Sequence, residues 1–249
     1  MRFAQRPAAN VRLLCVPHAG GGASSFRQWA MALPHTVDVV VAQMPGRESR
    51  LRDRPHTSID AMVQELLATV AAQPPLPLVI MGHSMGAIVA FELSHALKAA
   101  GLVTPSHLFV SGSRPPARCN DGLPLMHRLS DHDLVSEIDR RYGGIPATVR
   151  EERDVLDLLL PMLRGDITAL ETYQRPNHAP LACPVTAYAG TLDLRATPAD
   201  VGGWRDETAA AFATRAFEGD HFFVHKHRET ILPDILRALE DSIVRQGAA

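Results

Sequence analysis

Short apolar runs alternate with stretches of helical periodicity along most of this chain, and that alternation predicts the fold class before any chemistry is considered. Val11 to Val16, bounded by Asn10 and Pro17, and Val37 to Ala42, bounded by Pro34 and Pro45, read as buried parallel strands. Between them, Ser24 to Leu33 predicts a helix opened by the Ser24-Ser25 pair. Thr57-Ser58 caps a second, Ile59 to Ala72, in which Met62, Leu66, Leu67 and Val70 share one face. Next, an apolar run from Leu78 to Met81 leads into Gly82-His83-Ser84-Met85-Gly86, and Ala87 to Leu97 resumes helical periodicity until Ala99-Ala100-Gly101 stops it. His107 to Ser111, Pro184 to Ala189 and Thr214 to Phe217 predict further strands, and Thr230 to Val244 a closing amphipathic helix. The pattern specifies an α/β protein: a mostly parallel sheet covered by helices on both faces.

One stretch departs from the alternation. From about residue 114 to 180 the pattern holds no strand, but Asp131 to Tyr142, Val149 to Leu163 and Asp166 to Tyr173 predict helices separated by Gly143-Gly144 and Gly165. Leu156, Leu159, Leu160 and Leu163 give this insertion one apolar side. The expectation is a helical lid over the C-terminal edge of the sheet, within a single domain spanning 1–249. The same leucines would also pack the insertion onto the body. Leu156, Leu160, Leu163 and, farther on, Ile167 are the candidate substrate contacts of such a lid.

Composition narrows the function classes. Apolar residues make up 46% and charged residues 21% of the 249, and the net charge of −2 leaves no footprint for nucleic acid. Cys15, Cys119 and Cys183 are odd in number, far apart and without metal-ligand spacing, so reduced thiols are expected. The N-terminus lacks a signal-type apolar segment, and no apolar run approaches the ~20 residues that span a bilayer. A cytoplasmic protein without membrane attachment is expected.

The chemistry gathers at Gly82-x-Ser84-x-Gly86. A serine between strand and helix, flanked by glycines, is a nucleophile elbow, which crowds the backbone and aims Oγ off the top of the sheet. A hydroxyl needs a base to take its proton, and the base needs a carboxylate to orient it. His221, in Glu218-Gly219-Asp220-His221-Phe222-Phe223, follows the last predicted strand and is the candidate base. His225 and His227 lie in the approach to the final helix, and with His221 they form no recognisable metal-ligand set. Asp193, in Gly190-Thr191-Leu192-Asp193, lies just past a strand end and is the candidate acid. Asp200 and Asp206 read as a cap and a surface charge, and Asp220 adjoins His221 too closely to reach its far nitrogen. Backbone N–H groups of Met85 and of Ala19, within Pro17-His18-Ala19-Gly20-Gly21-Gly22, would hold an oxyanion. The glycine loop lacks the lysine of a phosphate-binding loop. Arg47 and Arg50, in Pro45-Gly46-Arg47-Glu48-Ser49-Arg50, are candidate contacts to an acidic partner or a phosphate, with pairing to Glu48 and Asp53 as the alternative.

Taken together these motifs resemble the type II thioesterases, the stand-alone editing enzymes of polyketide and non-ribosomal peptide synthases. The resemblance runs from Val16-Pro17-His18-Ala19-Gly20-Gly21 through Pro45-Gly46-Arg47-Glu48, the Ser84 elbow and Gly143-Gly144-Ile145-Pro146. It continues through Leu160-Pro161-Met162-Leu163-Arg164-Gly165-Asp166 to Gly190-Thr191-Leu192-Asp193 and Gly219-Asp220-His221-Phe222-Phe223. It implies an α/β-hydrolase fold with a helical lid and a triad on Ser84, Asp193 and His221. Thioesterase domains fused to synthases usually carry the acid after an earlier strand, where this chain has Ser111-Gly112-Ser113-Arg114-Pro115-Pro116 and no carboxylate. The family often has an aromatic where Ile167 stands.

The expected activity is hydrolysis of acyl groups from the phosphopantetheine thiol of an acyl or peptidyl carrier protein, by a monomer that needs no cofactor. A carboxylesterase or lipase, or an acyltransferase, would use the same triad. A carrier-binding module without catalysis would have no need of an intact elbow and glycine loop.

Overall fold

The computed structural model describes residues 1–120, 125–145, 148, 150 and 152–247. Its centre is a sheet of six strands: β1 (Val11–Val16), β2 (Val37–Val41), β3 (Leu78–His83), β4 (Pro105–Ser111), β5 (Val185–Gly190) and β6 (Phe212–Phe217). All neighbours pair parallel, in the order β2-β1-β3-β4-β5-β6. Every residue of β1, β2, β3 and β5 is buried, which is why these strands read as mostly apolar runs rather than as alternations; the charged exceptions Arg12 and Asp38 pair with each other at 2.8 Å. On edge strand β6 Ala213 to Ala216 stay exposed, with Arg215 among them, a charge that discourages edge-to-edge pairing.

Along β1, successive side chains enter opposite layers. Leu14 and Val16 join Ile80, Leu108 and Trp204 beneath α2 (Ile59–Ala71) and α3 (Met85–Ala99), following α1 (Arg27–Ala32) in the chain. Leu13 and Cys15 join Val79, Phe109 and Tyr188 beneath Trp29 of α1 and Ile231, Ile235 and Leu239 of the closing helix. The Ser58 hydroxyl caps α2 by accepting the Ala61 N–H at 3.2 Å, as Thr57-Ser58 predicts.

Between β4 and β5 lies the helical insertion, with α4 (Asp131–Tyr142) and α5 (Arg153–Glu171); α6 (Arg228–Gly247) closes the chain. Here the sequence reading needs correction. Gly165 does not separate two helices: α5 runs continuously through both Pro161 and Gly165. A Cβ on Gly165 would lie 2.8 Å from the His56 carbonyl oxygen, so this glycine permits close packing of helix against loop. Pro161 removes one helical hydrogen bond without ending the helix. Pro146 and Val149, which belong to the expected motif and helix start, lie outside the described residues. The insertion carries its own apolar cluster, including Met126, Leu134, Ile138, Leu160, Leu163 and Ile167.

Strand order reverses between β1 and β3, so the chain leaves these two neighbours in opposite directions and opens a crevice beyond their carboxyl ends. The arrangement is an α/β-hydrolase fold. Among the described residues no helix is long and apolar enough to cross a membrane.

Candidate active site

Ser84 stands at that crevice, between the end of β3 and the first residue of α3, with φ 56° and ψ −120°. Positive φ is strained for a residue with a side chain, and the surroundings hold it in place. Ser84 N–H donates to the Ser111 carbonyl at 2.7 Å. The glycines around it are steric requirements: a Cβ on Gly82 would lie 2.2 Å from the Gly86 carbonyl oxygen, and one on Gly86 only 2.1 Å from that of Val16.

His221 and Asp193 come from the turns after β6 and β5. These turns are tied together by Thr191 N–H to the Phe217 carbonyl and Leu192 N–H to the Gly219 carbonyl, both 2.8 Å. Asp193 Oδ2 lies 2.8 Å from His221 Nδ1, and His221 Nε2 lies 2.9 Å from Ser84 Oγ. A carboxylate only accepts, so the imidazole proton belongs on Nδ1, leaving Nε2 to accept from the serine hydroxyl. Asp193 and His221 are almost fully buried. Burial disfavours the Asp193 charge, but the hydrogen bond and charge of His221, with N–H bonds from Arg195 and Ala196, together hold its carboxyl below the usual carboxylate range. The other nearby aspartates are engaged elsewhere: Asp200 caps Pro198–Val201 with Thr197, and Asp220 accepts the Phe222 N–H.

Gly112, after β4, leaves no room for a carboxylate at its own position. Its φ is 58°, and a Cβ there would meet His83 Cε1 at 2.8 Å and His221 Cε1 at 3.5 Å. A cluster of rings fills this space: His83 lies 5.3 Å from His221, and His18 5.7 Å from His83. Burial lowers His83 well below the ordinary imidazole range and His18 to about 3, so both stay neutral beside the base.

Met85 N–H opens α3, where first-turn donors have no intrahelical acceptor. The loop after β1 turns back towards it, closed by Gly21 N–H to the His18 carbonyl at 2.9 Å. Ala19 of that loop, Ser84, His221 and Phe222 line a cavity of about 180 Å³ roofed by the insertion. Of the expected substrate contacts, Leu156, Leu163 and Ile167 line it. Leu160 does not: it turns into the insertion's own cluster, and Leu159 and Met162 take its place on the wall.

Of the two arginines expected to meet an acidic carrier or a phosphate, Arg47 is buried and Arg50 is partly exposed. Arg47 is 3% exposed, and its guanidinium makes a bidentate bond to the buried Asp166 at 2.8 Å to each oxygen. Arg50 is divided among Asp53, Glu65 and the Gln43 carbonyl. Pairing therefore wins: Arg50 takes the local Asp53, whereas Arg47 takes a distant partner, since Glu48 accepts from Ser24. Three contributors escaped the sequence reading. Tyr142 ends α4 with its ring 5.0 Å from His221; the His18 ring lies 5.1 Å from Phe222; and Gly144 sits where a Cβ would press on Phe222 at 2.4 Å. The Gly143-Gly144 pair was the available signal for the last.

A family model described as a thioesterase domain matches residues 11–242. The thioesterase PikA5 of Streptomyces venezuelae is 38% identical over 250 residues, covering 99% of this chain and 86% of its own length. Among solved structures, the RedJ thioesterase of the prodiginine pathway in Streptomyces coelicolor is similar with a TM-score of 0.85 at 36% identity, over 94% of this chain and 92% of that one. The type II thioesterase BorB from the borrelidin biosynthetic cluster gives a TM-score of 0.86 at 33% identity, over 96% of each chain. The chain thus belongs to the thioesterase family, among the type II thioesterases of polyketide and non-ribosomal peptide pathways.

Proposed function

We propose that this thioesterase hydrolyses acyl groups from the phosphopantetheine thiol of acyl or peptidyl carrier proteins, clearing misprimed or stalled chains from a synthase. In this reading His221, oriented by Asp193, takes the Ser84 proton as Oγ attacks the thioester carbonyl. The Met85 and Ala19 N–H groups hold the oxyanion, and the carrier thiol leaves with the proton returned by His221. Water, deprotonated by His221, then attacks the acyl-serine ester and releases the free acid.

The observation that carries the reading is the bonded chain Ser84–His221–Asp193 on the floor of an apolar cavity beneath the insertion. A thioester on a long thin arm calls for a channel rather than an open groove, and an insertion acting as a lid supplies one. A smaller recess shares Ser84, Tyr142 and His221 with the cavity and is lined by Ser113, Arg114 and Arg195. Every group in the scheme comes from one chain, so a monomer suffices.

Rates for one acyl group presented on a carrier protein, on coenzyme A and as a p-nitrophenyl oxygen ester test the proposal. The carrier thioester should give the highest kcat/KM and the free acid as product. Preference for the oxygen ester, or transfer to an added alcohol or amine in place of water, would overturn it.

A further inference from the structure

The Asp166 carboxylate lies in the middle of α5, fully buried, with both oxygens occupied. Oδ1 accepts from Arg47 Nη2 at 2.8 Å; Oδ2 accepts from Arg47 Nη1 at 2.8 Å and from the Gly20 N–H at 2.7 Å. Arg47 Nη1 also donates to the Gly21 carbonyl at 3.1 Å. One ion pair thus grips two consecutive residues of the loop after β1.

The peptide plane next to that grip carries the proposed oxyanion donor. The Ala19 N–H and the His18 carbonyl belong to one planar unit and point in opposite directions. The Gly21 N–H holds that carbonyl at 2.9 Å. Fixing Gly20 and Gly21 therefore fixes the direction of the Ala19 N–H. The same helix also packs on the loop, since a Cβ on Gly20, where φ is 79°, would lie 2.7 Å from Leu163 Cδ2. Leu163 lines the acyl cavity three residues before Asp166, so cavity wall and loop anchor lie on neighbouring positions of α5.

We infer that Asp166, paired with Arg47, is a positioning residue that aims the Ala19 N–H at the developing oxyanion. The inference rests on the Ser84 mechanism proposed above. Buried ion pairs are often replaceable by apolar residues without loss of stability, whereas removing one partner strands a charge. That difference separates positioning from mere structural support.

The test uses the full-length double variant Arg47→Met/Asp166→Leu, which leaves no lone buried ion. Turnover of an acyl-carrier substrate is measured per Ser84 site labelled to completion by a fluorophosphonate. Binding of a trifluoromethyl ketone, which forms a tetrahedral adduct on the serine, is compared with binding of an amide analogue of the substrate. Thermal melting close to wild type is expected, with kcat lower by about 10²–10³, the loss typical of one oxyanion donor. KM and amide affinity should hold, while ketone affinity falls in step with kcat. Arg47→Lys, which keeps a charge facing Asp166 and spares the Gly20 bond, should restore most of kcat. A double variant that melts like wild type and turns over at close to the wild-type rate would overturn the inference, as would a kcat loss with ketone affinity unchanged. Should the double variant not fold, Asp166→Asn decides on the same readouts: a fall in kcat per labelled site at constant KM supports the inference, and an unchanged kcat refutes it. A wild-type protein without Ser84-dependent turnover would instead refute the proposed function itself.

Discussion

Along the sheet edge, Ser84, Asp193 and His221 are set by turns that directly follow β3, β5 and β6; backbone bonds tie the last two turns to each other and Ser84 to the end of β4. The insertion is held by side chains. Its helices share an apolar cluster, Glu171 accepts the Met126 and His127 N–H groups at 2.7 and 2.9 Å, and Arg164 donates to the His127 carbonyl at 2.6 Å. The contrast assigns each region a different kind of sensitivity. Changes at the edge should alter whether the ester is cleaved; changes in the insertion should alter which acyl group fits.

Asp193→Asn gives the largest effect short of losing the nucleophile. The amide favours the wrong imidazole tautomer without moving the ring, so kcat on an acyl carrier should drop about 10⁴-fold with the fold intact. A drop of less than tenfold would mean that the edge is not governed by this carboxylate. On the insertion side, Leu163→Ala should shift the optimum of an acyl-chain series towards bulkier groups. It should leave kcat on the best substrate within about tenfold, at a stability cost of about 2–3 kcal/mol for the shortened core side chain. An equal loss for every chain length would dissolve the distinction between the regions.

The body should also dominate the response of stability to pH. Burial lowers His18 to about 3, and His95 and His107 to about 4, with repulsion from neighbouring cations adding to each; His83 is lowered well below its ordinary value. Above about pH 6.5 these groups are neutral in both states and cost nothing. As pH falls below that value the unfolded chain takes up protons that the folded chain refuses, so stability declines until the folded values near 3 to 4 are reached. Melting temperature should therefore fall between pH 7 and 5, and His107→Asn should flatten the slope by about one proton's worth. An unchanged slope would remove His107 from the account. Smallest of all, Arg50→Ala should leave turnover unchanged and cost within about 1 kcal/mol, because its ion pairs are partly exposed. A large rise in KM for the carrier would restore Arg50 as a docking residue.

The edge was legible in the sequence because its signals are local. A strand of consecutive apolar residues, glycines two either side of a serine, and an acid and a histidine just past later strand ends all fall within a few residues of the chemistry. The insertion was legible only as helix. Gly165 looks like a stop because a helix-ending glycine and a packing glycine have the same letter, and only the position of His56 distinguishes them. Leu160 misses the cavity wall because one helical step of about 100° decides whether a side chain reaches it, and a run of adjacent leucines hides that phase. Arg47 and Asp166 are 119 residues apart, so the loop's own acids were the only partners the sequence could offer.

The most direct test of the central claim is single-site turnover by the full-length wild-type protein and Ser84→Ala, both supplied with an acyl group on a phosphopantetheinylated carrier. The account predicts an acyl adduct on Ser84 in the wild type, release of the free acid, and a loss of about 10⁶ in kcat in the variant. A variant that retains most of the wild-type rate would contradict it.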